Sequence, residues 1–374
     1  MNEATGFAVE TDARNGRFSE QGLEIGGPYV VLVRRIGFKP LDRRIPYLAL
    51  GQALELQILL SPVASVIDTV RVTASERKVG ITTTISDSLL HRLPTLNRDM
   101  YDFVGLAPQI STKVAISSGG ISGGGVNMRF NNFLIDGVTD RFATGNSSTA
   151  TQGGKSVPLE AVKEYQVLLA PFDVRFGDFA GALVNSVTRS GTNAFHGSAF
   201  AYGRNDGLAR PTADSLQTPY RRTQSGFSVG GPLVRDRLHF FLAPEFQRIT
   251  SPASGPFLGQ AANASQRVPL SADVSRFLDL MRGWGLAPGS PGAVMTSSAS
   301  ANVFGRLDLA LPSLNSRAVL LDSYARTDNT PFSRAHPDTF SLSSYQVRAR
   351  FSSHLISAQL HTNVRGGSYN ALTL

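Results

Sequence analysis

From residue 194 onward, apolar and polar residues alternate singly along the chain. Leu238, Phe240, Leu242 and Phe246 share one parity, while His239, Glu245 and Gln247 share the other, interrupted by Phe241 and Ala243. Leu307 and Leu309 alternate with Arg306 and Asp308. Val319 and Leu321 alternate with Leu320, Asp322 and Tyr324, a less regular case. Tyr345, Val347, Ala349 and Phe351 oppose Gln346, Arg348 and Arg350, and Ile356, Ala358 and Leu360 oppose Ser357, Gln359 and His361. A period of two predicts strands. Alternation sustained for about ten residues with one apolar face is the pattern of a membrane-barrel strand.

The connections between these strands alternate in length, as such a barrel requires. Ser225–Gly230 is expected to turn within 231–236. A long excursion, rich in Ser, Ala, Gly and Pro, follows over about 250–300. Pro312–Ser316 is short, Thr327–Asp338 longer, and Ser352-Ser353 short again. About seven strands result, whereas a plugged transporter barrel has about 22 and such barrels close on an even number. The expectation is therefore the first strands of an incomplete antiparallel transmembrane β-barrel over 194–374, in a chain cut at both ends.

Residues 76–193 mix periods. Ile85–Leu93 places apolar residues at helical spacing and Pro94 ends it. A second short helix is predicted over Asn97–Leu106, with Asn97 as its cap. A glycine cluster follows at Gly119, Gly120, Gly123, Gly124 and Gly125. Phe133–Val138 reads as a strand running into an Asp136-Gly137 turn, and Leu159–Tyr165 as a short helix leading to a strand over Gln166–Leu169. This is an α+β segment.

Residues 1–62 read as short strands and turns: Asn15-Gly16 at a turn tip, a strong strand over Tyr29–Arg34, and Leu54–Leu60 with Leu54, Leu56 and Ile58 on one face. Residues 63–75 form a linker. Within it Asp68, Thr69, Val70, Arg71, Val72, Thr73 and Ala74 alternate β-branched and polar residues, a stretch able to add to the edge of a partner's sheet.

Composition narrows the function. The 374 residues include 36 Gly, 20 Pro and no Cys, which excludes disulfides and thiolate metal sites. No apolar run is long enough for a membrane-spanning helix, and Met1–Thr5 lacks the basic start and apolar stretch of a signal peptide. The net charge of +8 is concentrated at the C-terminal end, where residues 194–374 carry 17 basic and 10 acidic side chains. These arginines are scattered between apolar residues, so the pattern is a solvated strand face and nucleic acid is not an expected partner. The glycine cluster lacks the Gly-Lys-Ser/Thr ending of a phosphate loop. The six histidines show no metal-ligand spacing. No catalytic residue, cofactor or metal site is expected, and Asp136 is assigned to turn geometry.

Several motifs in order carry a family resemblance. Ile135-Asp136-Gly137-Val138, Val162-Lys163-Glu164-Tyr165-Gln166-Val167 and Phe176-Gly177 through Asn193 resemble the plug domain of TonB-dependent outer-membrane receptors. With Phe195–Phe200 they are similar to the Oar-like branch of that family. Gly16-Arg17-Phe18, Gly27-Pro28-Tyr29 and Arg35–Phe38 resemble the carboxypeptidase regulatory-like domain, a transthyretin-like β-sandwich, here incomplete. The resemblance implies a receptor in the cell outer membrane with its N-terminal domain in the periplasm, mediating energised uptake of an unidentified extracellular ligand. It implies the periplasmic C-terminal domain of TonB and outer-membrane lipid as partners. It makes Asp68–Ala74 the candidate TonB box, and it makes the plug loops holding Gly119, Gly120, Gly123, Gly124, Asn127 and Arg141, with outer loop 250–300, the candidate ligand side. An adhesion or assembly role without transport is the alternative.

Overall fold

The computed structural model describes the chain apart from residues 14–15, 62–75, 78–80, 96–97, 112–120, 128–129, 141–156, 170–176, 209–219, 254–257, 259–268, 270, 333–338 and 365–367. Near the N-terminus, strands β1 (Tyr29–Val33) and β2 (Leu41–Ile45) form an antiparallel pair. Around it Asn2 bridges to Tyr29 and Gly26 to Leu48. Among the described residues, this is what the segment expected to be a small sandwich contains. Leu54–Leu60 is not one strand: only Ala53–Leu54 (β3) pairs, with Glu76–Arg77 (β4).

The segment expected to be a plug, for which that label is kept, holds a sheet of order β5-β10-β11-β8-β9, from Ile81–Ile85, Val162–Leu169, Ala182–Thr188, Asn132–Ile135 and Val138–Thr139. All its pairings are antiparallel except β11 with β8. A separate short pair joins β6 (Ile110–Ser111) to β7 (Ser122–Gly123). Helix α1 spans Asp87–Arg92 and stops ahead of Pro94 as expected. Helix α2 spans Met100–Val104, and its cap is Asp99, whose carboxylate accepts from the amides of Tyr101 and Asp102. The predicted cap, Asn97, lies outside the described residues. The helix expected over Leu159–Tyr165 is a single 3₁₀ turn at Leu159–Ala161, and strand β10 begins at Val162. Val162, Tyr165 and Val167 are β-formers buried in the sheet, so tertiary pairing overrides the local helical spacing.

The last sheet holds seven consecutive antiparallel strands: β12 (His196–Asn205), β13 (Arg221–Val234), β14 (Leu238–Pro252), β15 (Met295–Leu311), β16 (Ser316–Asn329), β17 (Ala349–Val364) and β18 (Ser368–Thr373). The predicted number holds, but its composition differs. Ser352 and Ser353 sit inside β17, paired with Arg326 and Ala325, so the two strands expected on either side are one. Serine is a weak strand former, but in a pleated ladder its small side chain costs little. The seventh strand is β18, which the alternation does not single out. The turn after β13 falls at 235–237, where Asp236 takes φ 61°. Within the 250–300 excursion lies a helix, α3 (Ser271–Gly283), with Val274 and Leu278 buried. Among the described residues, the short connections 235–237 and 312–315 share one end of the wall, and helix α3 lies in a longer connection at the other.

Candidate functional site

Strand parity divides the wall into an outer and an inner face. Outward side chains include Leu238, Phe240, Leu242 and Phe246 on β14, Leu307 and Leu309 on β15, Leu320 on β16 and Ile356 and Leu360 on β17. They form an apolar band. Asp322 and His354 also face outward, and they pair with one another at 2.7 Å.

The inner face is built in three tiers that overlap: in the register, Arg306 of the lowest lies level with Phe241 and Leu321 of the middle one. The tier nearest the long loops is polar: Gln224, Glu245, Gln247, Asn302, Thr327 and Asn329 are all buried. Gln224 donates to Glu245 at 2.8 Å. Gln247 Oε1 and Thr327 Oγ1 are enclosed with no hydrogen-bond partner among the described residues. The middle tier is apolar and consists of Phe241, Ala243, Phe304 and Leu321. These four join one core cluster with plug residues Ile85, Leu90, Phe103, Tyr165 and Val184. The interruption of the alternation at Phe241 and Ala243 is therefore the footprint of the plug on the wall. Burial of these side chains is the main apolar attachment between the two parts.

The tier nearest the short turns is charged. Arg306 is its hub, with a side chain only 9% exposed. Its guanidinium donates to both Asp308 carboxylate oxygens at 2.8 and 2.7 Å, and to Asp136 Oδ2 at 2.9 Å and Thr188 Oγ1 at 2.8 Å in the plug. Asp136 and Gly137 both take positive φ, 47° and 85°, as a tight two-residue hairpin turn requires. The Asp136 carboxylate also receives the Thr188 amide at 2.9 Å and its hydroxyl at 2.5 Å, and the Asp136 carbonyl accepts from Gln359 on β17. Turn geometry is thus half of what Asp136 does. Its pairing with a barrel arginine 170 residues away leaves no trace in local sequence.

Below this tier the N-terminal segment docks on the plug. Glu164, fully buried, accepts from the Tyr47 hydroxyl at 2.9 Å and the Leu50 amide at 3.2 Å. Burial pushes its carboxyl above the usual range, against the pull of these hydrogen bonds. Lys163 donates to the Ile25 carbonyl at 2.6 Å, and burial, reinforced by the Arg306 charge, lowers its ammonium to about 8. Glu24 reaches the barrel directly, pairing with Arg317 at 3.2 Å.

The residues singled out from sequence distribute unevenly. Asp68–Ala74, Gly119, Gly120 and Arg141 lie outside the described residues. Gly124 and Asn127 are exposed, and Gly124 lies beside Leu169, at the end of β10 away from Val162 and its partner Thr188. Gly123 is instead buried: a Cβ there would come within 2.6 Å of the Ala182 backbone nitrogen, so this glycine serves close packing. Arg306, Asp308, Glu164 and the upper polar tier do not stand out as site residues in the sequence. The inward parity of charged and amide residues on β14 and β15 is the available signal for them.

Comparison with known proteins agrees with this architecture. Residues 187–338 match the outer membrane beta barrel domain family. The TonB-dependent transporter Oar of Myxococcus xanthus is 24% identical over 246 residues, covering 59% of this chain and 22% of the relative. The probable TonB-dependent siderophore receptor PirA of Acinetobacter baumannii is 29% identical over 198 residues, covering 49% of this chain and 25% of the relative. The chain thus spans about a quarter of the length of these curated relatives. Among solved structures, a point mutant of the ferric enterobactin receptor PfeA of Pseudomonas aeruginosa superposes with TM-score 0.53 at 16% identity, over 77% of this chain and 39% of that one. The outer membrane transporter YddB of Escherichia coli gives 0.53 at 13% identity, over 76% and 37%.

Proposed function

We propose that this chain, whose fold and relatives are those of TonB-dependent receptors, takes part in energised uptake of a polar ligand across the outer membrane, with its N-terminal segment on the periplasmic side. The observation that carries this reading is the path from the candidate TonB box to the plug. Asp68–Ala74 runs directly into β4 at Glu76–Arg77, and four residues beyond Arg77 the chain enters β5. Among the described residues, strand β5 is an edge strand, held by five residue pairs with β10 on one side. A force applied to the box would reach the plug at an edge of its sheet. The amide and hydroxyl side chains gathered in the upper tier favour a hydrogen-bonding ligand over an apolar one. One relative's name, siderophore receptor, offers iron chelates as a first class to try.

The test uses the detergent-solubilised chain and the periplasmic C-terminal domain of TonB. Strand addition depends on backbone amides, and proline removes them. Val70→Pro with Val72→Pro is expected to weaken binding at least tenfold, while Val70→Ala with Val72→Ala leaves it near wild type. Equal binding by the proline variant, or none by the wild type, overturns the energised reading and leaves adhesion or assembly.

A further inference from the structure

We propose that the lipid-facing side of the wall carries an interface for a second copy of this chain, centred on the Asp322–His354 pair and a notch at Gly305. The inference rests on the reading of the wall as membrane-spanning. Strand β16 leaves the short turn at Ser316, and Asp322 is six residues on. That is about 20 Å along the strand and about 16 Å along the membrane normal at a tilt of about 40°. The apolar band of an outer-membrane barrel is about 25 Å tall, so the pair stands inside it. Headgroups are out of reach there, and an ionisable side chain turned to hydrocarbon is costly. In the register Asp322 has Gly305 on one side and Ile356 on the other. Ile356 is exposed, as is Leu320, two residues before Asp322 along β16. These surroundings are those of the band and not of a polar rim.

The pair is only half satisfied. Asp322 Oδ1 and His354 Nε2 meet at 2.7 Å, and both side chains remain 53% exposed. Tyr324 packs edge-on against the His354 ring, with centroids 5.8 Å apart, and restricts its rotation. Asp322 Oδ2 and His354 Nδ1 have no hydrogen-bond partner among the described residues. As an ion pair the two groups are neutral together, with one acceptor and one N–H donor to spare. In hydrocarbon a polar group without a partner costs free energy. A surface that carries a spare acceptor beside a spare donor is complementary to itself. Two copies related by a two-fold axis set Oδ2 of each against Nδ1 of the other, the reciprocal contact of an isologous interface. A partner of another kind would need its own donor and acceptor at the same depth and spacing, whereas a second copy supplies them by symmetry. Beside Asp322, Gly305 leaves open space, since a Cβ there would meet nothing within 4 Å. That notch, with Leu242 across from it on β14, lets an opposing surface come close, as small residues do in membrane-buried interfaces.

The chain has no Cys, so one introduced on α3, Ser275→Cys, takes a fluorescent label. Energy transfer between donor- and acceptor-labelled copies in phospholipid vesicles, read across protein-to-lipid ratios, measures association. The wild type is expected to associate. Asp322→Leu with His354→Leu should insert as well as the wild type and associate at least about tenfold more weakly. Asp322→Leu alone and His354→Leu alone should each associate weakly, because like groups then face one another. Mixing these two single variants should restore association, since one Asp322 then meets one His354 across the interface. A double leucine variant that associates like the wild type, or a mixture no better than its components, overturns the proposal. So does a wild type that enters the bilayer and stays monomeric at every ratio. A wild type that does not enter bilayers overturns it together with the membrane-spanning reading.

Discussion

The wall and the plug reach one core by opposite routes. Each wall strand pairs with its predecessor in sequence, seven in a row, so its order follows the chain. The plug sheet does not: β8 is separated from its parallel partner β11 by about 50 residues, and β10 lies between β5 and β11. The wall is therefore held by a long hydrogen-bonded ladder with side chains of alternating fate. The plug is held by a compact apolar cluster whose members come from several of its own elements and from the wall itself. Side-chain removal should harm the shared cluster most, the charged tier next, and the outward band least.

The largest effect is expected at Phe304, which is fully buried where wall meets plug. Phe304→Ala should cost about 4 kcal/mol in unfolding of the detergent-solubilised chain. Phe246→Ala, outward on the neighbouring strand, should cost less than about 1 kcal/mol. Equal losses would erase the distinction between the faces. Arg306→Leu follows, at about 3 kcal/mol, because it leaves Asp136 and Asp308 buried without their cation. Asp136→Asn with Asp308→Asn in the same chain should recover a large part of that loss, and no recovery would show that Arg306 acts by packing alone. Asp99→Ala removes the cap of α2 and should cost about 1 kcal/mol, read as a lower melting temperature.

The smallest effect depends on pH. Lys163 has a folded-state value of about 8, below its unfolded 10.5. Between these values the unfolded chain binds more protons, so stability rises with pH through this window as the cost of burying the charge fades. The melting temperature of Lys163→Met relative to wild type should therefore be highest near about pH 7 and fall as pH rises through the window. A flat difference would mean that the ammonium is solvated and that the N-terminal segment does not enclose it.

Legibility follows the same division. The wall is readable because alternation is local: β13 to β16 emerge from parity alone, and even the misfit at Phe241 and Ala243 is visible as a misfit. Ser352-Ser353 misleads because serine serves as well in a ladder as in a turn. Helix α3 hides inside a loop of small residues, although Val274, Phe277, Leu278 and Met281 recur at helical spacing. In the plug, motifs locate the Asp136-Gly137 turn and strand β10, but spacing cannot separate a 3₁₀ turn at Leu159 from a helix. The contacts of Arg306 with Asp136 and of Glu164 with Tyr47 are out of reach, since these partners lie 170 and 117 residues away. Such pairings are set by topology and not by neighbouring residues.

The layered inner face has a bearing on how a passage could open. Water can replace protein at the upper and lower tiers, because amides, carboxylates and guanidinium groups exchange one hydration partner for another. It cannot do so around Phe241, Phe304 and Leu321 without wetting a greasy patch and the plug surface facing it. Separating the plug from the wall is thus opposed by the cost of wetting at mid-height, and peeling β5 meets the same cost at Ile85. The patch acts as a gasket between wall and plug, and parting the two there means wetting both.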